Sequence, residues 1–208
     1  KSLWNIINES KLWYIVIACF SQGIIKEGIN LWAPSFIMET QNLDIKSVSS
    51  FIVFIPVMNF VGMMLSGWLN KKLKYQEKLT TIIFFGAGMM MILGLLKFNR
   101  FGMYTALIYL GLSSAAMYGI NTMLLGVIPM NFAKYNKVSS VAGFLDFCSY
   151  LASGFSAFFT GIIVKHYGWF SIIVIWLAVA CIGMIVLIIS WKTDKDHTTM
   201  NIEENTSV

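Results

Sequence analysis

Charge is what this chain has least of. Only 12% of its 208 residues are Asp, Glu, Lys or Arg, while 57% are hydrophobic. Soluble domains run near about 25% charged and about 45–50% apolar, so the scarcity excludes an ordinary water-soluble domain and points to a bilayer. Histidine is scarce too. His166 falls at a turn between apolar runs and His197 in a polar tail, so neither can meet a carboxylate within a span as an acid–base pair requires. No glycine-rich phosphate loop sits on a soluble domain, and no spacing gathers metal ligands. An enzyme is therefore set aside, and neither cofactor nor metal is expected. The three cysteines, Cys19, Cys148 and Cys181, lie in apolar runs without the spacing of a disulfide framework, and read as small hydrophobes.

What the chain does have is apolar length. Runs able to cross about 30 Å of hydrocarbon recur along it, and six spans are predicted: about 12–38, 47–69, 79–97, 102–130, 138–164 and 169–191. None has the short core and small-residue cleavage site of a secretory signal. The expected fold is all-α and integral to the membrane, a six-helix bundle over 1–191 followed by a polar tail, 192–208, with too little apolar material to pack. Lysine placement sets the orientation. With the N-terminus cytoplasmic, the inner segments hold Lys1, Lys11, Lys71, Lys72, Lys74, Lys78, Lys134, Lys137, Lys192 and Lys195, and the outer ones only Lys46, Lys97, Arg100 and Lys165. That bias places both termini in the cytoplasm of a plasma-membrane protein. The net charge of +5 is thus a topology signal; spread along loops, it does not form a nucleic-acid footprint. The chain opens on Lys1, and its first residues read as a lead-in to a span, so a fragment of a longer protein is expected.

Turns between spans are short, which makes sequential helices antiparallel neighbours. Small residues recur at four-residue spacing: Ser149, Ser153, Ala157 and Gly161 on the fifth span, Gly111, Ala115 and Gly119 on the fourth. Such stripes let helix backbones approach in lipid. They serve static packing or, less commonly, a sliding interface.

Polar residues inside the spans carry the functional signal. Lys26 lies 14 residues past Leu12, roughly 21 Å along its helix, too deep to reach the surface easily. An ionisable group there costs at least about 2.5–3.5 kcal/mol on insertion scales, so it must face protein or water. Gln22, Lys26 and Asn30 recur at i, i+4, i+8 and share one face. Asn59, Tyr118, Asn121 and Thr122, and the i, i+4 pair Asp146 and Tyr150, supply polar groups from other spans. Lys26 either binds a substrate or gates a path, or else forms a structural ion pair with Glu27 or Asp146. Glu27 points about 100° away, which strains that pairing. Asp146 lies about 12 Å along its own helix, so meeting Lys26 needs tilt, an extended side chain or a bridging water. Asn59, Asn121 and Thr122 read first as interhelix hydrogen-bond formers.

Several segments resemble one family. IIKEGINLWAPSFI (24–37) resembles the seventh transmembrane helix of the organophosphate:phosphate antiporters, a branch of the major facilitator superfamily that includes glycerol-3-phosphate and hexose-phosphate carriers. There a basic residue precedes a glycine by two positions, then a Trp-x-Pro; here these are Lys26, Gly28, Trp32 and Pro34. GMMLSGWLNKK (62–72) is similar to the end of helix eight and its basic loop, MYGINTMLLGVIP (117–129) to helix ten, and the segment 139–169 to helix eleven. The resemblance covers nearly the whole chain, as helices seven to twelve, the C-terminal half of such a transporter. It implies alternating access with an N-terminal six-helix half, a small anionic substrate exchanged for phosphate, Lys26 at the place of the phosphate-binding arginine, and Tyr118 and Tyr150 near the central cavity. Gln22, Asn30 and Asp146 complete the expected site. Some members of the family instead act as membrane sensors of a phosphorylated metabolite. Lys for Arg at 26 loses a bidentate fork but keeps the charge. Leu31 and Asn70 replace aspartates of the family, and Asp146 stands where it often has glycine.

Overall fold

The computed structural model describes residues 11–44, 46, 48, 53–98 and 102–206, with 194–206 as backbone only. Lys1, Arg100 and most of 47–52 in the predicted second span lie outside the described residues. Those described contain helices and no strand. The helices are α1 (Trp13–Gln41), α2 (Phe54–Lys72), α3 (Glu77–Phe98), α4 (Met103–Asn121) and α5 (Val138–Thr206). Helix ends carry ordinary signals. Asn42 caps α1 in the left-handed region (φ 52°), its N–H bonding back to Met38 O. Lys71 and Lys72 close α2, where cations suit the negative end of the helix.

α5 is two helices joined at Gly168, whose φ of 74° and ψ of 174° no helix contains. Contacts with α1 prove the reversal. Along the first arm (138–167), Ser149 bonds Gln22, Ser153 bonds Gly23 O, Ser156 bonds Ile24 O, and Gly161 lies against Trp32, so this arm runs with α1. Along the second arm (169–206), Trp169 bonds Glu39, Trp176 covers Gly28 and Gly183 meets Ser21, so it runs against α1. A side chain at Gly168 would have to adopt a conformation that Cβ disfavours.

The same reading gives the remaining directions. α4 opposes α1, with Gln22 against Asn121 and Asn30 against Tyr118. α2 runs with α4, since Phe54 and Met58 meet Gly111 while Gly62 meets Ala115 and Gly119; α3 opposes α4, since Phe84 meets Gly119 and Gly94 meets Tyr109. The six segments therefore alternate in direction. Asn131 reaches Glu77, and Lys78 donates to Ser190 at 2.8 Å. The 73–76 turn, the 128–137 turn and the distal part of the second arm accordingly share one end of the bundle. By length and composition alone, three continuous helical stretches among the described residues suit a membrane: Glu77–Phe98, Met103–Tyr135 and Val138–Thr193, the last containing both arms. α1 is diluted by its polar stripe.

Both small-residue stripes lie where helices approach. Gly62 meets the backbone carbonyl of Ala115, and Gly23 that of Ser149. In lipid, where burial alone drives no association, such approaches permit the van der Waals packing that holds helices together. Polarity is inverted relative to a soluble domain. Gln22, Lys26, Asn59, Asn70, Thr80 and Ser113 are buried, while Phe60, Met64, Trp68, Phe158 and Phe170 are exposed. Asn70 Oδ1 accepts from Thr80 Oγ1 at 3.2 Å, tying the end of α2 to the start of α3.

Two stretches show how the winding runs on past the regular helices. The span 102–130 is not one α-helix: after Asn121 the chain winds as π turns over Thr122–Val127 and as 3-10 turns over Ile128–Tyr135. Pro129 has no N–H for the carbonyl of Leu125, so regular winding cannot continue through it. Along the tail the backbone continues the last helix to Thr206. Extending a formed helix adds one hydrogen bond per residue without a new nucleus, and so needs no apolar partner.

Candidate functional site

Four helical segments place polar side chains around Lys26. Lys26 is 6% exposed, at the middle of α1, and its ammonium donates to Asn121 Oδ1 at 3.4 Å. The faces of Tyr118 and Tyr150 flank it, with ring centroids at 5.7 and 5.4 Å from Nζ. Both are within the range of cation–π attraction. Gln22 Nε2 donates to the same Asn121 oxygen at 3.1 Å, and its own carbonyl accepts from Ser149 at 3.2 Å. One turn further along α1, Asn30 Nδ2 donates to the Tyr118 hydroxyl at 3.1 Å, and Asn59 Nδ2 donates to Asn30 Oδ1 at 3.4 Å. α1, α2, α4 and the first arm of α5 are thus joined by one polar network.

Of the six residues singled out from sequence, Gln22, Lys26, Asn30, Tyr118 and Tyr150 converge here. Asp146 lies beside them, lining a cleft of about 410 Å³ between the π turns (Asn121, Thr122, Leu125) and the start of α5 (Ala142, Gly143). It makes no ion pair with Lys26, and neither does Glu27. Among the described residues Lys26 has no carboxylate partner at salt-bridge distance, so the structural ion pair left open by the sequence does not form. Nor do the described residues group His, Cys, Asp and Glu as a metal site.

Asn121 matters more than its sequence suggested. It is the acceptor shared by Gln22 and Lys26, and it opens the π turns that line the cleft. The available signal was its place three residues after Tyr118, which puts both on one face of α4. Asn59 Oδ1, buried and without a donor among the described residues, is a second polar group left available. Gly28 and Trp32, part of the recognised motif, serve packing instead: the Trp176 ring lies over Gly28, and Trp32 meets the edge of Trp169 at a centroid distance of 6.4 Å.

An ammonium has three donors, and one is directed at Asn121. The other two have no acceptor among the described residues. Neutral amides and aromatic faces orient the cation without neutralising it, and the surrounding protein keeps the field strong.

A buried cation with no carboxylate at salt-bridge distance thus sits inside a bundle of alternating helices, an arrangement suited to a membrane, and comparison supplies the family. The profile of the Major Facilitator Superfamily matches residues 1–157, and the chain belongs to that family. It is similar to the Probable hexose phosphate transport protein of Chlamydia muridarum, 20% identical over 192 residues, 91% of this chain and 42% of that protein. It is also similar to the Glycerol-3-phosphate transporter of Bacillus subtilis, 22% identical over 195 residues, 91% of this chain and 43% of that protein. The Membrane sensor protein UhpC of Salmonella typhimurium is 18% identical over 158 residues, 76% of this chain and 36% of the sensor. The chain spans less than half the length of these relatives. The resemblance read from its motifs therefore stands at the level of the family.

Proposed function

We propose that this chain forms the C-terminal half of a secondary transporter for a small organic phosphate. Lys26 binds the phosphoryl group, and Gln22, Asn30, Tyr118, Tyr150, Asn121 and Asp146 line the site. Substrate passes by alternating access against a companion six-helix half, in exchange for inorganic phosphate. The lysine-rich end of the bundle faces the cytoplasm, with both termini there. The observation that carries this reading is the state of Lys26: sealed from bulk solvent, held by an amide and two aromatic rings, and not paired with a carboxylate. The names of the hexose phosphate and glycerol-3-phosphate relatives support the substrate class.

The test uses the full-length protein in vesicles loaded with inorganic phosphate, with uptake of labelled glucose 6-phosphate and glycerol 3-phosphate measured. Uptake is expected to depend on internal phosphate, to vanish in Lys26→Ala and to survive best in Lys26→Arg. Unchanged uptake in Lys26→Ala would remove the binding role. The sensor relative motivates a second reading, in which ligand binds without flux and the 70–78 loop meets a partner. Ligand-protected proteolysis with no uptake would select it.

A further inference from the structure

A second cavity lies away from Lys26. α2 and α3 follow one another in sequence, yet both pack mainly along α4 and leave a groove of about 310 Å³ between them. That is roughly ten water volumes. Val61, Leu65 and Trp68 of α2 form one wall and Ile83 and Ala87 of α3 the other, with Ala115 on the floor. The lining is hydrophobic apart from the indole N–H of Trp68, so water or a sugar phosphate gains little hydrogen bonding there.

The charged end of this groove decides what fits. Trp68 is 57% exposed, and one turn further along α2 come Lys71 and Lys72, followed by Lys74, all exposed. Lys72 Nζ lies 4.8 Å from the Trp68 ring centroid, which brings a cation to the groove's own wall. Among the described residues no carboxylate pairs with these lysines. Asn70 is buried and bonded to Thr80, and Glu77, the sole acidic residue of 66–78, accepts from Asn131 at 3.5 Å. An apolar channel ending in tryptophan and three lysines matches an amphiphile with a hydrocarbon chain and an anionic head. An apolar helix by itself would fill the channel but bring no counter-charge to the lysines.

We propose that the α2–α3 groove binds an acidic phospholipid, one acyl chain lying between Trp68 and Ala87 and its phosphate meeting Lys71, Lys72 and Lys74. A lipid there would brace α2 against α3, which touch each other far less than each touches α4.

The experiment places the full-length protein in bilayer nanodiscs containing a minor fraction of phosphatidylglycerol or phosphatidylcholine brominated on the acyl chains. The Trp68 signal is isolated by difference from Trp68→Phe, and its quenching is titrated. Each lysine near an anionic headgroup strengthens attraction about fivefold. Brominated phosphatidylglycerol should therefore quench Trp68 at concentrations lower than phosphatidylcholine by on the order of tenfold or more. Substituting Lys71, Lys72 and Lys74 with Gln should erase that preference. Ala87→Phe, which fills the groove from its exposed side, should abolish quenching with the lysines intact. Equal quenching by both lipids, or a preference that survives the triple substitution, would overturn the proposal. So would no quenching by either lipid, as expected if a companion helix covers the groove.

Discussion

Lys26→Met separates a cation that serves the fold from one that serves a ligand. Burying an ammonium at this depth costs at least about 2.5–3.5 kcal/mol. Against this stand one long hydrogen bond, at 3.4 Å, and two cation–π contacts near the limit of their range, at 5.4 and 5.7 Å. A charge-assisted hydrogen bond of good geometry contributes about 1.5–3 kcal/mol, and this one is longer than the mode by about half an ångström. Two aromatic contacts add about 0.5–2 kcal/mol each. At the low ends that this long geometry warrants the terms nearly cancel, so removing the charge should leave the ligand-free protein about as stable as before. Methionine is close to lysine in length and accepts an apolar setting. Ligand affinity should behave oppositely. Removing one partner of a buried, hydrogen-bonded charge pair costs about 2–5 kcal/mol, which weakens binding on the order of 30-fold to several thousand-fold. The assay pairs thermal unfolding of the purified full-length protein with equilibrium binding of labelled glucose 6-phosphate. A melting point lowered by several degrees, with affinity held within about threefold, would refute the reasoning and make Lys26 a structural residue.

Two further outcomes follow from the same geometry. Asn121→Asp would put a carboxylate where Lys26 now meets an amide, creating the ion pair the native bundle lacks; ligand binding should fall at least about tenfold while ligand-free melting rises, and Asn121→Ala should lower binding without that rise. Gly62→Leu would drive a side chain into the Ala115 backbone, and overpacking of this kind costs about 1–3 kcal/mol; the expected result is a lower melting point, whereas the same change at Gly67, with open space around it, should leave melting unchanged.

Much of this was legible in the sequence. Gln22, Lys26 and Asn30 share a face because helical geometry requires it, and an ionisable residue in an apolar run had to point inward. The stripes through Gly111 and Ser149 marked close approaches. The π turns after Asn121 were not legible: Pro129 signalled a disturbance, but whether the winding tightens, widens or bends there depends on what packs against it. Asp146 was ambiguous for a related reason. Helical rise set its depth but not the tilt of one helix against another, and the structure places it in the cleft beside Asn121 rather than on Lys26.

Composition and periodicity by themselves determined the solvent this chain folds in, the class of its secondary structure and the burial of one lysine. Those are local properties, since each follows from a residue and its neighbours within a few turns. Only tertiary structure decided who meets that lysine: an amide from α4 and two tyrosine faces, with neither Glu27 nor Asp146 at salt-bridge distance. Contacts between distant segments depend on rotation and tilt of whole helices, and those are set by summed packing along every interface rather than by any one stretch of sequence.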